Sequence, residues 1–125
     1  MHTPIRILYL EDNPWDAEII RDHLESGGLV CDIALVRDRN GYESALQGGR
    51  FALVLCDYNV PGYDGLVAVT IARERQPLTP VIVISGSLGE EQAVQCLQAG
   101  ATDYLLKQRL ERLPAAVKRA LAEAE

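Results

Sequence analysis

The residues best suited to chemistry in this sequence each follow a short apolar run. They are the acidic pair Glu11 and Asp12, the carboxylate of Asp57, the hydroxyl of Ser85 and the ammonium group of Lys107. A ligand set made only of carboxylate oxygens favours a hard divalent cation, and Mg²⁺ is the best candidate. A metal and a lysine can neutralise a phosphoryl group while a hydroxyl binds one of its oxygens and a carboxylate held in line attacks it. The set predicts phosphoryl-transfer chemistry with Asp57 as the nucleophile.

Five short runs rich in Val, Ile and Leu must position these side chains, and their composition is typical of strands buried on both faces. They are residues 5–10, 31–36, 51–56, 81–84 and 104–106. Amphipathic helical patterns follow the strands: one capped by Asn13, one over residues 38–47 and one after Asp64. A fourth carries Ala93, Val94 and Leu97 before Gly100, and a fifth starts near Pro114 with Leu113, Val117 and Leu121 four apart. This alternation predicts an α/β fold with a doubly wound five-stranded parallel sheet. A flavodoxin-like strand order of 2-1-3-4-5 is the one we expect, and it would put the second strand at an edge.

The carboxyl ends of parallel strands share one edge of a sheet, so we expect the polar residues to meet there. Two like charges ~4 Å apart repel by about 4 kcal/mol at an effective dielectric constant near 20, and three carboxylates in one place therefore require a cation. Each residue alone has an ordinary explanation as a turn residue, a helix cap or a surface charge. Complementary groups after four separate strands nevertheless favour one shared site.

The overall composition limits the classes of function. A length of 125 residues without an internal linker predicts a single domain over residues 1–125. A net charge of -6 disfavours direct binding to nucleic acid. The three cysteines, Cys31, Cys56 and Cys96, are expected to be buried thiols. No signal pattern or apolar run of membrane-spanning length is seen, so we expect a cytoplasmic protein without membrane insertion.

The sequence resembles the CheY-like receiver domain of bacterial two-component response regulators over residues 4–124. Four motifs carry the resemblance: the pair Glu11 and Asp12, the loop "DYNVPGYDG" that begins with Asp57, the strand "VIVISG" and the segment "GATDYLLK". Each motif is weak alone, but their order and spacing together are specific. The resemblance implies a phosphoacceptor signalling switch that catalyses its own phosphoryl transfer and dephosphorylation and has no separate substrate turnover.

The resemblance also implies roles for individual residues. Asp57 would accept a phosphoryl group from a phosphohistidine on a sensor histidine kinase or a histidine phosphotransfer protein. Ser85 and Lys107 would each bind a phosphoryl oxygen. The Mg²⁺ ligands would be Glu11, Asp12, Asp57 and the backbone carbonyl of Asn59.

A switch is implied by Ser85 and Tyr104. As Ser85 turns toward the phosphoryl group, the ring of Tyr104 would swing inward and reshape the face formed by the fourth helix, the fifth strand and the fifth helix. A downstream protein or an attached output domain would dock on that face. The alternative for Tyr104 is a half-buried aromatic residue at the sheet edge with no switching role.

Two positions depart from the family pattern. Gln108 follows the lysine where the family usually has proline, which predicts a different path into the last helix and an extra turn before Pro114. Gly86 stands where many relatives have alanine, which predicts open space near the phosphoryl group.

Three other functions compete with the phosphoacceptor. A phosphorylation-independent, receiver-like docking module would tend to lose the nucleophile, the acidic pair or the lysine, whereas this chain keeps them all; it remains the main alternative. A hydrolase of the haloacid dehalogenase type needs a second acid two residues after the nucleophile, where this chain has Asn59. A dinucleotide-binding domain needs a glycine-rich turn after the first strand, where this chain has Glu-Asp-Asn.

Overall fold

Strands and helices alternate along residues 3–87 and 89–124, which are the residues that the computed structural model describes. The strands are β1 (Ile5–Leu10), β2 (Cys31–Val36), β3 (Leu53–Asp57), β4 (Val81–Ser85) and β5 (Asp103–Leu106). The helices are α1 (Pro14–Ser26), α2 (Arg39–Gly48), α3 (Gly65–Arg75), α4 (Glu90–Gln98) and α5 (Leu113–Ala124), with a 3₁₀ helix at Lys107–Arg112. The strands form one parallel sheet in the order β2-β1-β3-β4-β5, which confirms the predicted fold class.

Helix caps fix where the chain turns after three of the strands. The side chain of Asn13 accepts hydrogen bonds from the backbone N–H groups of Trp15 (2.9 Å) and Asp16 (3.4 Å). Asp38 and Asp64 cap α2 and α3 in the same way, each with its Oδ1 atom. These bonds satisfy N–H groups that the first turn of a helix leaves without partners. The helices therefore begin close to the carboxyl edge of the sheet, where the candidate site lies.

The sheet lies between two apolar layers, and successive residues of each central strand enter opposite layers. Leu53 and Leu55 of β3 pack with residues of α1 and α5, whereas Val54 and Cys56 pack with residues of α2 and α3. All five residues of β3 are buried, including the terminal Asp57. A charged group thus stands at the end of the central strand with apolar packing behind it.

Three details differ from the sequence prediction. The third strand begins at Leu53, later than expected, and includes Asp57 itself. Cys31 is only half-buried because β2 is an edge strand, although Cys56 and Cys96 are buried as predicted. Val94 and Leu97 are exposed on α4, since Ala93 and Cys96 occupy its inner face.

The two ends of the described chain meet at the opposite edge of the sheet. Thr3 and Ala124 line one depression together with Phe51 and Pro80, which precede β3 and β4. The candidate site and the chain ends are therefore separated by the length of the strands.

Among the helices described, none has both the length and the apolar character needed to cross a bilayer.

Candidate functional site

Three carboxylates converge at the carboxyl edge of β1 and β3. Glu11, Asp12 and Asp57 each offer an oxygen atom, and these atoms all lie within 4.8 Å of one another. The two strands are hydrogen-bonded neighbours, so the residues that follow β1 necessarily approach the end of β3. Glu11 and Asp57 are 1% and 3% exposed, whereas Asp12 faces solvent. The structure thus brings together the acidic residues that the sequence analysis selected.

Glu11 is buried with hydrogen-bond donors on both of its oxygens. The hydroxyl of Tyr9 (3.0 Å) and the Nζ of Lys107 (3.2 Å) donate to Oε1, and the backbone N–H of Asn13 (3.2 Å) donates to Oε2. Burial, followed by the proximity of Asp57, raises the pKa of Glu11 from 4.5 to about 7, against the opposing effects of Lys107 and the Asn13 N–H. Closely spaced carboxylate oxygens that repel one another fit a hard divalent cation such as Mg²⁺.

Lys107 contacts carboxylates on three different elements. Its Nζ lies 2.6 Å from Oδ2 of Asp16, 3.2 Å from Oε1 of Glu11 and 3.4 Å from Oδ2 of Asp57. Burial alone would lower the pKa of Lys107, but the hydrogen bond to Asp16 and the charges of Asp57 and Glu11 raise it above its ordinary value. Lys107 therefore stays charged and partly compensates the acidic cluster.

Asp57 and Ser85 are linked through Asn59. The backbone N–H of Asn59 donates to Oδ1 of Asp57 (3.0 Å), and its side-chain Nδ2 donates to Oγ of Ser85 (2.8 Å). The N–H of Ser87 also donates to Ser85 Oγ (3.2 Å). Ser85 is an acceptor in both contacts, so its O–H proton stays available for another acceptor. The backbone carbonyl of Asn59 as a metal ligand stays a prediction.

The region after β5 follows the path expected from the missing proline. The 3₁₀ helix at Lys107–Arg112 supplies the predicted extra turn before α5. The side-chain Nε2 of Gln108 donates to the backbone carbonyl of Gly86 (2.8 Å), which ties this turn to the loop after β4. A Cβ atom at Gly86 would meet nothing within 4 Å, so the space there is open as expected. Tyr104 is half-buried against the layer that contains Val83, and its inward movement stays a prediction.

Two residues of the site were missed in the sequence. Tyr9 could have been found, because side chains two residues apart in an extended chain, such as those of residues 9 and 11, point to the same side. Asp16 gives no such signal, because its partner Lys107 lies 91 residues away in the sequence. Such a contact becomes visible only when α1 and the end of β5 are placed in three dimensions.

A family model described as the response regulator receiver domain matches residues 7–118. The chain belongs to this family. The receiver domain is 32% identical to the transcriptional regulatory protein ZraR of Escherichia coli K12, over 97% of this chain and 27% of ZraR. It thus spans about a quarter of the length of that relative.

Two solved structures illustrate the likeness. The receiver domain of a sensor histidine kinase from Pseudomonas aeruginosa PAO1, with a magnesium ion coordinated in its active site cleft, is 28% identical, with a TM-score of 0.81 and coverage of 96% of this chain and 99% of that one. A response regulator protein from Burkholderia pseudomallei with a phosphorylated aspartic acid, a calcium ion and citrate shares the fold at 22% identity, with a TM-score of 0.80 and coverage of 95% and 69%. The family resemblance and the strand order are confirmed, and the receiver domain is a signalling domain of two-component systems.

Proposed function

We propose that this receiver domain is a phosphoacceptor switch in which Asp57 takes a phosphoryl group from a phosphohistidine on a sensor histidine kinase or a histidine phosphotransfer protein. The convergence of Glu11, Asp12 and Lys107 around the end of β3 carries this proposal. A nucleophilic carboxylate at the end of a buried strand is held rigidly, and one of its oxygens is already oriented by the N–H of Asn59.

The reaction is proposed to depend on Mg²⁺. Glu11, Asp12, Asp57 and the backbone carbonyl of Asn59 would hold the ion, and the clustered oxygen donors support this assignment. When bound, the ion supplies positive charge that offsets the phosphoryl oxygens and the carboxylates. Neutralisation of this kind is needed because burial, and then the nearby Asp57, raise the pKa of Glu11 even without an incoming anion.

Lys107 and Ser85 are proposed to bind phosphoryl oxygens. Lys107 Nζ lies 3.4 Å from Asp57, so a group attached to that carboxylate comes within reach of the ammonium. Ser85 is joined to Asp57 through Asn59 and keeps a proton to donate. The two side chains come from neighbouring elements on the same side of Asp57 and can bind different oxygens of one phosphoryl group.

The proposed output surface is the face formed by α4, β5 and α5. Val94 and Leu97 of α4 are 47% and 46% exposed, and Tyr104 of β5 is half-buried. Movement of Ser85 and Tyr104 would change this face, and a downstream protein or attached output domain would bind it. The net charge of -6 disfavours direct contact with nucleic acid. The proposed partner is therefore a protein, met in the cytoplasm and without membrane insertion.

Phosphorylation can be tested directly by intact mass spectrometry. With Mg²⁺ and acetyl phosphate, the wild-type protein is expected to gain the mass of one phosphoryl group, and hydroxylamine should remove it as it removes acyl phosphates. Asp57→Asn should gain none, because the amide cannot attack phosphorus. Asp22→Asn, an exposed acid on α1, is the matched control and should behave as wild type.

Three outcomes would count against the proposal. Undiminished uptake by Asp57→Asn would exclude Asp57 as the nucleophile. Uptake that continues when EDTA removes divalent ions would exclude Mg²⁺ dependence. A wild-type protein that takes up no phosphoryl group and binds no Mg²⁺ would favour the docking module.

A further inference from the structure

We infer that Asp16 is a positioning residue for Lys107: it draws the ammonium toward α1, which favours Mg²⁺ at the acidic cluster and opposes the phosphoryl group that Lys107 must bind. The inference rests on the proposed function: its first half on the proposed Mg²⁺ site and its second half on the proposed phosphoryl acceptor. Neither the receiver motifs nor the strand-end pattern includes Asp16, which lies in the first turn of α1.

The geometry of the ammonium group supports this role. Lys107 has three N–H donors and three carboxylate partners, and the shortest distance, 2.6 Å, is the one to Asp16. Asp16 and Lys107 are 29% and 22% exposed, so their ion pair is shielded more than a surface pair. The backbone N–H of Asp16 donates to the Asn13 cap, which places the Asp16 backbone in the first turn of α1.

For a cation, the consequence of Asp16 is favourable. Glu11 and Asp57 both contact Lys107 and both belong to the acidic cluster, so the ammonium and a metal ion compete for the same two carboxylates. An ammonium held by Asp16 competes less for these oxygens, and the Asp16 charge adds to the attraction for a divalent ion. Asp16→Asn should therefore weaken Mg²⁺ binding.

For an anion, the consequence has the opposite sign. A phosphoryl group on Asp57 needs the Lys107 ammonium, and Asp16 is the partner from which it must be drawn. The Asp16 charge also repels a phosphoryl dianion a short distance away. At saturating Mg²⁺, Asp16→Asn should therefore strengthen the binding of beryllofluoride, a stable mimic of the phosphoryl group.

Isothermal calorimetry on the full chain measures both effects. Asp16→Asn is expected to lower the affinity for Mg²⁺ and to raise the affinity for beryllofluoride at saturating Mg²⁺, each by about three- to tenfold, the range expected for a partly shielded ion pair. Asp16→Ser, measured in parallel, guards against a defect peculiar to the amide. Asp22→Asn on the exposed side of the same helix removes the same charge and should change neither affinity by more than about twofold.

The opposite signs distinguish positioning from a merely structural role, which would lower both affinities together. A fall in both, a rise in both, or no change in either would overturn the inference. If wild-type protein binds Mg²⁺ but not beryllofluoride, the phosphoacceptor proposal and the second half of the inference fail, and an unchanged Mg²⁺ affinity of Asp16→Asn would overturn the first half as well. Wild-type protein that binds neither ligand would overturn both.

Discussion

Glu11 reaches the site as a buried carboxylate with Asp57 close to it and Lys107 donating to one of its oxygens. Its pKa of about 7 lies well above the ordinary value of 4.5, first because of burial and then because of Asp57. At a pH between these two pKa values, Glu11 keeps its proton in the folded protein but has released it in the unfolded chain. The folded state is therefore stabilised by Glu11 protonation at low pH and loses that contribution as the pH rises toward 7.

Glu11→Gln should remove this pH dependence. Without Mg²⁺, the free energy of unfolding of the wild-type protein is expected to fall relative to that of the variant by about 3 kcal/mol between pH 4.5 and pH 8. Urea unfolding followed by circular dichroism at several pH values measures the difference. Parallel curves for the two proteins would show that the Glu11 carboxyl does not carry a raised pKa.

Most residues of the site could be predicted because they lie at or directly after the end of a strand. In a parallel sheet the end of a strand fixes a position in space, so Glu11, Asp57 and Ser85 could be placed from the order of the strands alone. Asp16 and its bond to Lys107 could not, because helix orientation depends on packing that no local pattern records. The network through Asn59 was missed for the same reason, since it depends on side-chain rotamers.

At the scale of elements, α1 and α5 pack on the same face of the sheet and meet where α1 ends. The ring of Pro114 occupies the space in which a side chain at Gly27 would stand. This contact joins the helix that carries Asp16 to the helix of the proposed output face. The apolar spacing of Leu113 and Val117 predicted the buried face of α5, but nothing in the sequence paired Gly27 with Pro114.

Gly27→Ala should destabilise the protein through this contact. A Cβ atom there would overlap Pro114, and relief of the overlap must separate the two helices, at an expected cost of about 1–3 kcal/mol. The control is Gly48→Ala at the end of α2, where a Cβ would meet nothing within 4 Å. That variant should be stabilised by about 0.5–1 kcal/mol through reduced freedom of the unfolded chain.

Thermal or urea unfolding of both glycine variants measures these effects. Equal stability of Gly27→Ala and wild type would mean that α1 and α5 are packed less closely than the structure shows. Destabilisation of Gly48→Ala would instead indicate a backbone requirement at the end of α2.

At the scale of the whole molecule, an apolar layer covers each side of the sheet, and the acidic cluster lies at the carboxyl ends of the strands between them. Alternation alone does not fix the order of the strands, but a parallel sheet could be predicted because such evenly alternating elements require helical crossovers. The exposure of Val94 and Leu97 could not, because α4 carries apolar residues on two faces and only packing shows which face turns inward.

Mg²⁺ should stabilise the whole domain by binding only to its folded form. At a concentration about 100 times the dissociation constant, the expected gain in the free energy of unfolding is about 2.7 kcal/mol, visible as a higher midpoint of thermal unfolding. Asp12→Asn should lose most of this gain while keeping the metal-free stability, because Asp12 is exposed. Equal Mg²⁺ responses in the two proteins would remove Asp12 from the ligand set.

The shared depression lined by Thr3 and Ala124 has a consequence for any protein joined to this domain. A fusion partner at either terminus would emerge from the rear of the sheet, behind the amino ends of the strands. It would leave the approach to Asp57 clear whichever terminus carried it. A bulky fluorescent reporter could thus be attached at either terminus without blocking the access of a partner protein to Asp57.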